Sequence, residues 1–329
     1  MLKKLSFLLL FSFSLSAQKF SHADSLRGSL RPARTSYDVL HYDLKVKVDP
    51  EKTYITGSNI IQFVVKEKTK QIQVDLFSNL TIDQIVFENK ALTYRRDGNA
   101  IFIDFPRVLL VKQKHQIQIS YQGQPRKAVR PPWDGGITWK KDENGKSFIA
   151  TSCQGLGASV WWPNKDHMYD EAESMLISVN VPKGLMDISN GRLQSVKQLK
   201  DGTTTYNWYV SNPINNYGVN INIGDYVAFS EKYKGEKGIL DCQYYVLRNN
   251  LAKAKKQFQD VPKMLKAFEH WFGPYPFYED SYKLVEVPYL GMEHQSCVTY
   301  GNGFQNGYRG RDLSGTGWGL KFDFIIIHE

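Results

Sequence analysis

The sequence predicts a mainly β N-terminal domain built from antiparallel sheets, followed by the start of a second domain of α+β character. Three observations carry this expectation. Short runs of alternating apolar and polar residues recur along the chain, and Asp-Gly and Asn-Gly pairs separate several of them. Near residue 230 the apolar spacing changes from two to alternating steps of three and four. At 329 residues, 42% of them hydrophobic, the chain is long enough to bury a core in each of two domains.

Lys3 and Lys4 precede an apolar run from Leu5 to Leu15, and Ser14, Ser16 and Ala17 are small residues suited to cleavage. Residues 1–17 therefore read as an export signal, which places the mature protein in the periplasm or outside the cell. The run is too short to cross a bilayer, and no later stretch approaches the roughly 18 apolar residues of a spanning helix, so no stable membrane anchor is expected. Residues 18–35 are polar and unpatterned and read as a loose leader.

From Tyr37 the period becomes two: Tyr42, Leu44, Val46 and Val48 alternate with polar residues until Asp49-Pro50-Glu51-Lys52 breaks the run as a turn. Strand-like runs follow at Tyr54 to Val65, Gln71 to Leu76, Ile82 to Phe87, Ala100 to Phe105 and Gln116 to Tyr121, then at Ser174 to Val181, Thr204 to Val210 and Val219 to Phe229. Turn chemistry at Asp97-Gly98-Asn99, Asn144-Gly145 and Asp201-Gly202 marks reversals between strands. The first domain is thus expected over 18–230 and the second over 231–329.

In the second segment Leu251, Ala254, Phe258, Val261, Leu265, Phe268 and Phe272 form the stripe of an amphipathic helix. Pro262 inside it predicts a kink or two abutting helices, and Gly273-Pro274 ends it. Lys283 to Val287 and Ser296 to Tyr300 read as strands flanking a tight turn at Gly291. A Gly-rich stretch from Gly301 to Gly319 then leads to Phe322-Asp-Phe-Ile-Ile-Ile-His328-Glu329.

Composition narrows the function classes. The net charge is +9, but the basic residues are spread among acidic ones, the pattern of a solvated surface and not of a nucleic-acid interface. Cys153, Cys242 and Cys297 are odd in number, far apart and without a Cys-x-x-Cys pair, which reads as buried free thiols. Trp133, Trp139, Trp161 and Trp162 suit core packing better than the rival role of a sugar platform.

The chemistry-bearing residues cluster late. His328 and Glu329 form the first half of an H-E-x-x-H pattern, in which two imidazoles one helical turn apart reach a zinc ion and the glutamate acts on its water. Leu290-Gly291-Met292-Glu293-His294 precedes it and is similar to a G-x-M-E-N motif. Upstream lie Gln154 and Trp161-Trp162-Pro163, the opening Tyr37-to-Leu44 strand with Val48-Asp49-Pro50, and Ile188-Ser-Asn190-Gly191 with the Trp208-to-Tyr226 segment. In this order, over residues 36–329, the chain resembles the aminopeptidase N family of zinc metallopeptidases (gluzincins) and also leukotriene hydrolase/aminopeptidase.

The resemblance implies a thermolysin-like second domain and zinc-dependent release of N-terminal residues from peptides with a free N-terminus. It implies His328 as a metal ligand and Glu329 as the general base on zinc-activated water. Glu293 and Gln154 would bind the substrate α-ammonium, and Gly291 and Met292 would lie along the substrate backbone. Two positions depart from the family motif: Leu290 stands for its first glycine and His294 for its asparagine, which puts the asparagine's hydrogen-bonding role in doubt. His294 reads as a structural or substrate-side group. The remaining metal ligands are not in the sequence, so the chain reads as an inactive fragment of such an enzyme. The alternative is a non-catalytic binding module or a relative whose zinc site was never completed.

Overall fold

The computed structural model describes residues 20–329. The expected export signal lies outside the described residues.

Two short helices open the described chain, α1 (His22–Gly28) and α2 (Pro32–Thr35), where the sequence suggests a loose leader. Ser21 and Asp24 cap α1 reciprocally: the Asp24 amide donates to Ser21 Oγ at 3.2 Å and the Ser21 amide to Asp24 Oδ2 at 2.8 Å. Long-range contacts then pin the arm. Leu26 packs on Ala100 and Phe102, and fully buried Arg34 donates to Asp75 at 2.9 and 3.1 Å. Helices of seven and four residues leave no readable period, which is why the sequence does not announce them.

The strand expectations from Tyr37 to Val210 hold. The largest sheet has eight strands, in the spatial order 192–198, 204–210, 174–181, 37–49, 54–65, 114–123, 80–87 and 90–91. Every pairing in it is antiparallel except that of Tyr37–Asp49 with Ser174–Val181. A four-stranded sheet carries Met186–Ser189, Ile221–Gly224, Ser147–Ser152 and Gly136–Lys141, and a three-stranded sheet carries Thr69–Asp75, Ala100–Leu109 and Tyr94–Asp97. The three glycine turns fall between hairpin strands, with Gly98, Gly145 and Gly202 all at positive φ. The main core gathers the inward faces of these strands around Trp161, Trp162 and Trp208. Trp161 and Trp162 are fully buried, as packing requires, whereas Trp133 is 52% exposed. All three cysteines are buried and free.

The run from Val219 to Phe229 is two strands, not one. Ile221–Gly224 ends in the four-stranded sheet, and after Asp225 the strand Tyr226–Gly235 begins a different, five-stranded sheet. This strand passes through the expected boundary at 230. It pairs only with Gly238–Leu247, so the change of sheet lies at Asp225.

The five-stranded sheet is mixed, in the order 226–235, 238–247, 282–286, 298–300 and 291–292. Gly238–Leu247 and Tyr282–Glu286 run parallel, and the crossover between them holds the helices α3 (Leu251–Gln257) and α4 (Asp260–Phe272). The predicted break is real. The chain restarts at Asp260, so Pro262 sits in the first turn of α4, where its missing N–H costs nothing. Val261, Met264 and Leu265 are buried, but Phe268 and Phe272 at the end of the stripe are 38% and 81% exposed.

The expected tight turn at Gly291 is not a turn. Tyr282–Glu286 and Val298–Tyr300 run parallel, so no hairpin joins them, and Gly291–Met292 is a short edge strand antiparallel to the latter. Its glycine serves close approach: a Cβ at Gly291 would stand 2.5 Å from Glu329 Oε1 and 2.9 Å from Ile325 Cγ2.

Candidate functional site

The site is assembled from the edge strand and a terminal helix, α5 (Phe324–His328). Asp323 starts that helix. Its Oδ1 accepts from the Ile325 and Ile326 amides at 3.0 and 3.4 Å, a side-chain cap for amides that have no partner within the helix. The same carboxylate accepts from Tyr300 Oη at 2.6 Å, Asn302 Nδ2 at 2.8 Å and Gln257 Nε2 at 3.0 Å. Burial pushes the Asp323 carboxyl upward, and these donors oppose the shift. Ile325 and Ile326 enter the second core, which fixes the rotation of the helix and with it the direction of Glu329. The Glu329 amide still donates to Ile325 O at 3.0 Å, so the helical bond pattern reaches the last residue described.

Glu329 is half-buried, with its carboxyl against Gly291. Burial, and then the negative charge of Glu293, push its pKa up to about 8. His328 is exposed, and its ring stacks on Phe324 with centroids 5.4 Å apart.

Gly291 pairs with Tyr300 and Met292 with Thr299, leaving the outer edge of this strand free of a neighbour in the sheet. Met292 packs with Ala150, Val287, Tyr289 and Tyr217. Glu293 follows immediately and is exposed; Tyr217 Oη donates to its Oε1 at 2.8 Å. The next residue turns the other way. His294 is fully buried, its Nδ1 accepts from Asn220 Nδ2 at 3.1 Å, and burial lowers its pKa to about 3. A neutral imidazole locked behind the strand is a structural group.

Gln154 lies in the turn after Ser147–Ser152, half-buried, and its side chain makes no hydrogen bond among the described residues. The strand leading to it is tied to the site one step away, since Tyr289 Oη donates to Thr151 O at 2.8 Å. The structure thus brings Gly291, Met292, Glu293 and Glu329 together, with His328 at the exposed helix end and Gln154 on a separate turn. Sequence reasoning missed Asp323 and Tyr217. An aspartate just before an apolar run is a readable N-cap signal; Tyr217 carries no local signal, since its role arises from a residue 76 positions away.

Among the described residues no group of three or more His, Cys, Asp or Glu side chains could hold a metal ion. His328 is the one exposed imidazole beside Glu329 at this site, and the described residues do not by themselves make a zinc site. A cavity of about 950 Å³ lies on the eight-stranded sheet and is lined by His41 and His115, and none of the expected site residues lines it.

Residues 38–217 match the Peptidase M1 N-terminal domain family. Leucine aminopeptidase 2 of Vanderwaltozyma polyspora is 22% identical over 273 residues, which is 78% of this chain and 39% of that protein. Among solved structures, a two-domain M1 zinc metallopeptidase bound to L-arginine is 19% identical, with a TM-score of 0.69 over 81% of this chain and 60% of the other. An M1 zinc metallopeptidase from Deinococcus radiodurans bound to a Tyr-Ser-Ala substrate is 20% identical, with a TM-score of 0.68 over 80% and 60%. The chain therefore spans about 39% of the length of the curated relative and 60% of the length of these structures. On the match over 38–217, with a fold similar to that of solved M1 zinc metallopeptidases over about 80% of its length, the chain belongs to the peptidase M1 family.

Proposed function

We propose that this protein acts as an aminopeptidase, removing N-terminal residues from peptides with a free α-ammonium group. The carrying observation is the Glu293 carboxylate, presented at the end of a free sheet edge with one of its oxygens held by Tyr217. An extended peptide can add its backbone to the edge formed by Gly291 and Met292, which aligns its first residue with Glu293. A carboxylate there pairs with an ammonium group and is left without a partner by an internal peptide segment, which selects for chain ends. Gln154 would add a neutral acceptor from the first domain. The names of the relatives, an aminopeptidase and zinc metallopeptidases with an amino acid or a tripeptide bound, support the same reading.

The family's zinc needs more donors than the described residues provide. We propose that His328 is one ligand and that Glu329 holds or moves the proton in hydrolysis. The reading is tested on protein expressed from the whole reading frame, with alanine p-nitroanilide and its N-acetyl derivative as substrates. Glu293→Ala is expected to lower kcat/KM on the free amine by about tenfold to a hundredfold, the loss of a hydrogen bond between charged groups, roughly 1.5–3 kcal/mol. Bound metal should not change. Equal cleavage of the acetylated substrate by the parent protein, or undiminished activity in Glu293→Ala, would sink the reading.

A further inference from the structure

We propose that Tyr217 is a positioning residue for the substrate ammonium group, fixing the Glu293 carboxylate in one rotamer from the opposite domain. The inference rests on the aminopeptidase reading and adds a residue to it. A glutamate on an exposed strand end samples several rotamers, and ordering it when substrate arrives costs affinity. Here the ordering is already in place. Tyr217 Oη donates to Oε1 at 2.8 Å, and among the described residues Oε2 has no hydrogen-bond donor, so it is left for the ligand.

The phenol is itself held on several sides. Its ring packs against Ala150, Val287, Tyr289 and Met292. It stands in a single 3-10 turn, Asn216–Gly218, where Asn215 Oδ1 accepts from the Tyr217 amide at 3.0 Å. One buried side chain then sets the distance between the two partners. Asn190 Nδ2 donates to Gly218 O at 2.7 Å and to Gln295 O at 2.6 Å, bridging the residue after Tyr217 and the second residue after Glu293. Asn190 Oδ1 is occupied by the Asn220 amide at 2.8 Å, so the bridging amide has one orientation. A half-buried tyrosine serving only as packing would not need its hydroxyl on the one exposed carboxylate of the edge strand.

Tyr217→Phe removes the hydroxyl and keeps the ring, so folding is retained and only the carboxylate is released. In protein from the whole reading frame, KM for alanine p-nitroanilide is expected to rise about tenfold, the loss of one hydrogen bond to a charged group. The kcat should stay within about twofold and the thermal midpoint should be unchanged. Tyr217→Leu should raise KM at least as much and lower the thermal midpoint as well. An unchanged KM in Tyr217→Phe, while Glu293→Ala is crippled, overturns the positioning role and leaves the aminopeptidase reading intact. Equal losses in kcat and stability without a KM change assign Tyr217 to packing and also overturn it. If Glu293→Ala matches the parent, the aminopeptidase reading itself falls and the proposal with it.

Discussion

Arg34→Met tests whether the N-terminal arm is part of the folded body. Arg34 is fully buried and makes four hydrogen bonds: to Asp75 Oδ2 at 2.9 Å and Oδ1 at 3.1 Å, to Leu26 O at 3.0 Å and to Asp166 O at 3.3 Å. Methionine fills much of the same volume but leaves the Asp75 carboxylate buried without a cation. Breaking one side of a buried pair costs about 3–5 kcal/mol. Asp75 keeps donors from Gln73 Nε2 at 2.9 Å and the Asp166 amide at 3.2 Å, so the lower end, about 3 kcal/mol, is expected near pH 8.

The pH dependence has a definite sign. Burial raises Asp75 to about 6 in the parent even with Arg34 beside it, and loss of the guanidinium raises it further. A carboxyl whose folded pKa lies above its unfolded value favours the folded state at low pH and loses that stability as pH rises through the folded pKa. Between the parent's value and the higher value of the variant, the extra penalty grows by roughly 1.4 kcal/mol per pH unit. Urea unfolding at pH 5 and pH 8 should therefore show a smaller deficit at pH 5. Pairing Arg34→Met with Asp75→Leu should recover most of the loss. A deficit below about 1 kcal/mol, or one equal at both pH values, refutes the clamp and returns residues 20–35 to a loosely attached leader.

Two further outcomes are expected. Gly291→Ala places a methyl group 2.5 Å from Glu329 Oε1 and 2.9 Å from the Ile325 side chain, and should cost about 1–3 kcal/mol in urea unfolding as α5 is pushed outward; a variant as stable as the parent contradicts the close approach. A chain ending at Ser230 keeps half of the Tyr226–Gly235 strand without its partner, so it should aggregate more than one ending at Gly224; equal solubility with equally cooperative melting argues against a change of sheet at Asp225.

Where the sequence was legible, local chemistry and tertiary burial agreed. Tyr42, Leu44, Val46 and Val48 alternate in the sequence because alternate side chains of that strand enter the core, and all four are buried. Pro262 foretold the break between α3 and α4 because a proline restricts its own turn whatever packs around it. The failures share the opposite property. The arm before Tyr37 is held by Arg34 reaching Asp75, 41 residues away, and Gly291–Met292 is a strand of two residues defined only by its partner. Glu293 and Glu329 were legible through motif resemblance, but Tyr217 was not, since nothing in Asn215-Asn216-Tyr217-Gly218 points to a carboxylate. The exposed Phe268 and Phe272 show the same limit from the other side: a stripe marks the face of a helix, but not how far along it the cover extends.

The seam between the sheets explains how residues from two parts of the chain can form one site. Apolar contacts alone would let the five-stranded sheet slide on the β domain with little change in buried area, because they carry no direction. The seam is instead crossed by buried, directional bonds. Asn190 reaches Gln295 O at 2.6 Å, and Asn220 reaches His294 Nδ1 and Cys297 O, both at 3.1 Å. Asp280 accepts from the Ser211 and Asn212 amides at 2.7 and 3.1 Å, and the buried Lys283 ammonium donates to Gly191 O. A buried polar group that loses its partner costs about 1–3 kcal/mol, so a small slide would break several bonds at once and gain nothing in return. Register across the seam is therefore set to within hydrogen-bond tolerance, and that tolerance lets Tyr217 on one side meet Glu293 on the other at 2.8 Å. The departure from the family motif at His294 fits this account: the imidazole takes Asn220's hydrogen bond within the seam, so the motif's last position here anchors the strand from behind while Glu293 faces outward.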